Sequence, residues 1–145
     1  MKKVKKPEFY FETGVAECIL YNEDGHIFKG MAKCHPEDED MMSEKVGCEI
    51  AQSRATIKAL KYQKNCVIKP SIKALKQLYY SMRQSKKFNP KSYENIMLKR
   101  QIENWEWDLN LIEDMIDAEK TYLQNYIKDK EQMYQFIRKQ RKGQN

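Results

Sequence analysis

The chain has 145 residues, 33% charged, 41% hydrophobic and 11% aromatic, with a formal net charge of +6 and a mean hydropathy of -0.88. That apolar and aromatic content excludes a wholly disordered polymer, and the length allows one domain, or a small domain with a helical extension. No apolar run reaches the eighteen or so residues of a membrane span, and the lysine-rich start lacks the apolar segment of a signal peptide, so the expectation is a soluble, intracellular protein with no membrane partner.

Residues 1–13 open Lys-Lys-Val-Lys-Lys-Pro after Met1 and read as a basic N-terminal arm. From Val15 to Tyr21 and from His26 to Cys34 the β-branched and aromatic content rises, and Asn22-Glu23-Asp24-Gly25 between them has the chemistry of a tight turn. An antiparallel hairpin follows, with Ala16, Cys18 and Leu20 sharing a buried face with Phe28, Gly30, Ala32 and Cys34. The other face, with Glu17, Ile19, Ile27, Lys29 and Met31, is mixed.

The acidic run Glu37–Asp40 leads to a helix capped near Ser43 and running to about Tyr62. Gly47, Ala51, Ala55 and Ala59 recur every four residues and predict a narrow side that lies very close to the hairpin. Arg54, Lys58 and Lys61 form a basic ridge beside it. Residues 14–64 make this α/β portion, and a brief connection at Asn65 to Lys69 ends it.

Pro70 then opens a shorter helix with Ile72, Leu75, Leu78, Tyr79 and Met82 on its apolar side. Beyond the linker 84–89, Asn89 as cap and Pro90 as first residue begin a helix that runs to about Arg141. Steps of four and three from Leu98 reach Ile102, Trp105, Leu109, Ile112 and Ile116, and in all ten of twelve seam positions to Ile137 are apolar. At 1.5 Å per residue the helix spans roughly 75 Å, too long for a small domain to cover, so the seam predicts an oligomer. Trp107, Leu111, Met115, Tyr122, Ile127, Tyr134 and Phe136 lie outside the strict repeat, so a helical bundle or a sheet against one flank fits better than a two-stranded coil. Residues 70–141 are thus a helical hairpin and oligomerisation region, and 142–145 a disordered tail.

The expected fold class is α+β: a small N-terminal antiparallel hairpin or sheet packed on a helix, then a long C-terminal helical hairpin. The four cysteines stand 16, 14 and 18 residues apart with no C-x-x-C pair, so free thiols are expected. Cys34-His35 would serve zinc only if other cysteines folded towards it, and neither His26 nor His35 sits in a recognisable nucleophile or metal pattern. No phosphate loop, H-E-x-x-H helix or dinucleotide fingerprint occurs. We therefore expect a binding protein, with no catalytic residue, metal or cofactor.

Charge is unevenly spread: residues 1–53 carry seven Lys/Arg against eleven Asp/Glu, 54–100 thirteen against one, and 101–131 three against nine. Such a basic middle favours an anionic partner. A phosphate-bearing purine ligand needs cationic donors, a stacking ring and an orienting amide. Arg54 and Arg83 offer forked donors, Lys29 and Lys58 point charges, Tyr79 and Phe88 rings, and Asn89 an amide; these seven are the candidate ligand-binding residues. Solvated lysines and helix packing by Tyr79 are the plainer alternatives.

The stretch His26-Ile-Phe-Lys-Gly-Met-Ala-Lys-Cys-His-Pro-Glu-Asp38, followed by Gly47-Cys-Glu-Ile-Ala-Gln-Ser-Arg-Ala55, resembles small proteins of phages of Gram-positive bacteria. In particular it resembles the first type of phage Thoeris anti-defence protein, over about residues 14–60. That resemblance implies an N-terminal antiparallel sheet, long C-terminal helices, and oligomeric sites that sequester a cyclic ADP-ribose-type signal without cleaving it, in the host cytoplasm. The implied partner is a glycocyclic ADP-ribose or a cyclic oligonucleotide, held by a homo-oligomer that is a dimer or a multiple of dimers. Arg54, inside the resembling stretch, is the leading candidate. Two other readings stay open: a phage nucleic-acid-binding protein using the basic middle and termini, and a virion or scaffold protein.

Overall fold

The computed structural model describes residues 5–12, 14–34 and 43–143. The acidic run Glu37–Asp40, His35 and the first lysines of the arm lie outside the described residues, as do the last two residues of the expected tail.

Three strands, β1 (Glu8–Glu12), β2 (Val15–Tyr21) and β3 (Ile27–Lys33), form an antiparallel sheet in the order β1-β2-β3. Helix α1 spans Glu44–Tyr62, a π-helical segment covers Gln63–Ile68, α2 spans Lys69–Arg83 and α3 spans Tyr93–Gly143. The fold is α+β and mostly helical, as expected. The chain divides into two compact units, one of residues 1–59 and 117–145, the other of 60–116.

In the first unit the β2–β3 hairpin has its expected register, with Cys18 opposite Gly30 and Ala16 opposite Ala32. The Asn22 side chain accepts from the amides of Asp24 and His26, and Gly25 supplies the positive φ of 83° that the turn requires. Strand β1 corrects the reading of Glu8–Glu12 as part of an arm. Its sequence alternates Glu8, Tyr10 and Glu12 with Phe9 and Phe11, and Phe9 and Phe11 pair with Cys18 and Ala16. Lys5 is fixed as well: its ammonium lies 3.3 Å from Glu8 and 4.4 Å from the Tyr21 ring centre, and it holds the Glu8 carboxyl below its ordinary range.

Helix α1 begins as predicted, with Ser43 Oγ accepting the Val46 amide. Its small-residue side packs on the sheet through a core of Ala16, Cys18, Ala32, Ala51 and Ala55. A Cβ at Gly30 would collide with the Ala51 carbonyl oxygen and come within 2.5 Å of the Ala55 nitrogen, so the helix backbone rests directly on the strand. Within this unit α3 meets α1 through two hydrogen bonds: buried Ser53 donates to Glu119 at 2.6 Å and Tyr122 donates to Glu49 at 2.8 Å. Burial raises the Cys18 and Cys48 thiols above their ordinary range, which keeps both protonated and unreactive.

In the second unit Ile68, Ile72 and Ile112 form a core with Leu60, Trp105 and Leu109 against it. Ion pairs Lys64–Glu113 at 3.5 Å and Lys76–Glu106 at 3.2 Å advance in opposite chain directions, so α2 and α3 are antiparallel here. The brief connection expected at Asn65 to Lys69 is instead helical. Pro70 has no amide hydrogen and its ring excludes a regular turn before it, and the Lys69 amide bonds Lys64 five residues back. Ser71 Oγ donates to the Val67 carbonyl at 2.6 Å. Leu78, expected on the apolar side of α2, is 52% exposed.

Helix α3 starts later than predicted. Asn89 accepts the Lys91 amide in a local turn, and Ser92 accepts the Asn95 amide at 3.4 Å, so Ser92 is the cap. Leu98, Ile102, Ile112 and Ile116 of the seam are buried within the chain itself. Those four positions need no second subunit to cover them, Met133 of the same seam is 41% exposed, and its polar member Glu119 accepts the hydrogen bond from Ser53.

Candidate functional site

The seven sequence-derived candidates divide between the two units. Arg54, Lys58 and Lys29 belong to the first, Tyr79, Arg83, Phe88 and Asn89 to the second.

In the first unit β3 is a sheet edge, and residues of α1 engage its outward carbonyls. Arg54 Nη1 donates to the Met31 carbonyl at 2.7 Å and Lys58 Nζ to the Lys29 carbonyl at 2.6 Å. The Lys29 ammonium lies 3.9 Å from Glu17. All three cations are thus gathered at one edge, where two of them satisfy backbone acceptors that would otherwise invite another strand. Arg54 is an exposed residue, and its guanidinium has donors beyond the one that Met31 takes.

In the second unit the turn between α2 and α3 makes a cleft of about 290 Å³, lined by Tyr79, Asn95, Ile96, Lys99, Arg100 and Glu103 among others. Its most informative group is Asn95, which is 6% exposed. The Asn95 Nδ2 donates to the Asn89 carbonyl at 2.7 Å, and this bond fixes which way the amide faces. Its Oδ1 is buried and has no hydrogen-bond partner among the described residues. Lys99 and Arg100 line the same cleft and give it the cations an anionic ligand requires.

Phe88 is half-buried rather than free, edge-on to Tyr79 with ring centres 5.9 Å apart and planes at 83°. It thereby braces the ring that lines the cleft. Asn89 uses its Oδ1 and its carbonyl to shape the loop, so it positions Asn95. Arg83 is exposed in the last turn of α2 and does not line the cleft. A wider groove of about 710 Å³ lies along α2, lined by Lys69, Lys73 and Lys76 with Tyr80, which is 67% exposed.

Sequence reading missed Asn95, Lys99 and Arg100. Lys99 and Arg100 close the basic block and were legible as charge, one turn beyond Asn95. No pattern marks a polar residue in a first helical turn as buried. Among the described residues no group of three or more His, Cys, Asp or Glu side chains is placed to hold a metal ion, and Cys18, Cys48 and Cys66 are free thiols. No described helix is long and apolar enough to cross a membrane.

Fold and site together define an α+β protein with a three-stranded antiparallel sheet, a long C-terminal helix and a small cationic cleft. No family model, curated protein or solved structure matches the chain.

Proposed function

We propose that this protein is a phage anti-defence protein that binds and sequesters a cyclic ADP-ribose-type or related cyclic nucleotide immune signal. It holds the signal without cleaving it, in the host cytoplasm and as a homo-oligomer, and so keeps the signal from the host effector. The observation that carries this reading is the small cleft that Tyr79, Asn95, Lys99 and Arg100 line together. The phosphates of a cyclic nucleotide suit the two cations, and the braced Tyr79 ring gives its base an apolar wall. The resemblance of residues 14–60 to the Thoeris anti-defence proteins supports the same ligand class.

Calorimetric titration with cyclic ADP-ribose isomers and cyclic oligonucleotides tests it. One of them is expected to bind and to be recovered unaltered after heat release. Lys99→Gln should weaken that ligand by roughly 1.5–3 kcal/mol, the range for a hydrogen bond to a charged group. Absence of heat with every cyclic nucleotide sinks the proposal, and altered ligand on recovery makes the protein an enzyme. If Arg54→Ala abolishes binding while Lys99→Gln does not, the site lies at the β3 edge.

The lysine-lined groove along α2 favours a second reading, a nucleic-acid-binding protein. Its affinity should fall steeply with salt through counterion release, whereas an enclosed nucleotide is far less sensitive.

A further inference from the structure

The two edges of the sheet differ. At β3 the outward carbonyls of Met31 and Lys29 are taken by Arg54 and Lys58. At β1 the outward groups are bare, and the bonding pattern says which they are. Asn22 donates to the His26 carbonyl and Cys34 to the Gly14 carbonyl, so the even-numbered residues of β2 bond to β3. The odd-numbered ones, Val15, Glu17 and Ile19, then bond to Glu12, Tyr10 and Glu8 of β1. Phe9 and Phe11, standing between those three, turn their N–H and C=O groups outward. Among the described residues no hydrogen bond reaches these outward groups. Pro7 and two glutamates flank the strand, as charge and proline often do at an edge, yet its middle presents two large rings. Phe9 shares the α1 face with Cys18 and is 44% exposed, and Tyr10 on the other face is 55% exposed.

Glu8-Phe9-Tyr10-Phe11-Glu12 reads the same in both directions, so an antiparallel pairing of β1 with its own copy has two registers to choose between. Centred on Tyr10, it sets Glu8 against Glu12 of the partner subunit, and like charges directly opposite are destabilising. Centred on Phe9, it sets Phe9 against the partner's Phe9, Glu8 against the partner's Tyr10 and Lys6 against the partner's Glu12. A shift of one residue from either would face Phe9 with a residue whose backbone groups already serve β2. Pro7 fits the Phe9-centred register, because by the same alternation its ring nitrogen points outward and its carbonyl can accept the partner's Phe11 amide. Glu8 keeps its own counter-ion, Lys5, at 3.3 Å.

We propose that β1 pairs antiparallel with β1 of a second copy of this chain, about a two-fold axis at Phe9. The two three-stranded sheets become one continuous sheet, with both α1 helices on the same face and the two Phe9 rings between them. Each Phe9 exchanges both backbone bonds with the partner's Phe9, and every other contact occurs twice, as an isologous interface requires. This pairing specifies the oligomer of the functional reading, yet it draws on no property of the Asn95 cleft and holds whether or not that cleft takes a nucleotide.

Light scattering of the full chain without ligand, over a dilution series, should rise from the 17.4 kDa chain mass to twice that mass. Lys6→Glu should weaken association about 10-fold, because two opposite-charge pairs become like-charge pairs, and adding Glu12→Lys should restore it. Register is read by oxidation of cysteine variants made with Cys66→Ser. Phe9→Cys should link two chains, since the paired α-carbons stand about 5.5 Å apart. Glu12→Cys should not, since it lies about 20 Å along the strands from its own copy. A monomer at every concentration, association that Lys6→Glu leaves unchanged, or linkage by Glu12→Cys in place of Phe9→Cys overturns the proposal. The charge swap leaves Phe9 and the β1–β2 bonds in place, so it decides the matter even if Phe9→Cys disturbs the sheet.

Discussion

At Gly30 a single hydrogen atom sets the distance between sheet and helix. The atoms a side chain would meet are the backbone of Ala51 and Ala55, which cannot swing aside as a side-chain tip does. Gly30→Ala should therefore cost about 3 kcal/mol or more, at the upper end for overpacking, measured by urea unfolding with an unchanged m-value. The close approach was legible in the four-residue spacing of Gly47, Ala51, Ala55 and Ala59, because small side chains at helical period have few other uses. The role of Arg54 was not. A sequence shows a guanidinium and its place on the helix, but not the Met31 carbonyl that receives one of its bonds. Asn95 was hidden for a related reason: its orientation depends on the Asn89 carbonyl six residues back, which takes the Nδ2 end of the amide and which no sequence pattern marks.

At the scale of the element, the π-helical segment repairs a mismatch of phase. Leu60, Ile68 and Ile72 share one core, yet eight residues of regular α-helix would set Ile68 about 80° out of line with Leu60. One residue absorbed in a wide turn makes the effective spacing seven and brings all three onto one side. Pro70 selects where this happens, since a regular turn there would drive its ring into the preceding carbonyl. Deleting exposed Asn65 should restore α-helical winding with the phase intact but leave Pro70 in it, at a cost of about 3 kcal/mol. Adding Pro70→Ala to the deletion should recover most of that loss in thermal melts, and failure to do so would contradict this account. The sequence showed the proline and suggested a break. The eight-residue spacing between Leu60 and Ile68 was the signal that the helix continues, and it is read only when the two residues are known to share a core. The seam of α3 was legible as apolar from Leu98 onward, but periodicity cannot say whether a partner helix belongs to the same chain.

For the whole molecule, the first unit is built from two distant pieces of sequence, joined where α3 returns to α1 through Ser53–Glu119 and Tyr122–Glu49. The hydrogen bond to Glu49 raises the Tyr122 phenol above its ordinary range, with burial and the Glu49 charge adding to it. A group raised on folding lends stability that is whole below its unfolded value near 10 and is lost as pH climbs through the folded value. Stability should thus fall more steeply above pH 10 in the parent than in Tyr122→Phe, compared by denaturant midpoints across that range; parallel curves would rule the contribution out. Ser53 and Glu119 are 66 residues apart in the chain. A ribosome adding about 5–20 residues each second takes about 3–13 s to cover that distance. For those seconds the nascent sheet and α1 exist without the part of α3 that bonds to them, and the rate of synthesis, rather than the rate of any folding step, decides how long Ser53 waits for its acceptor.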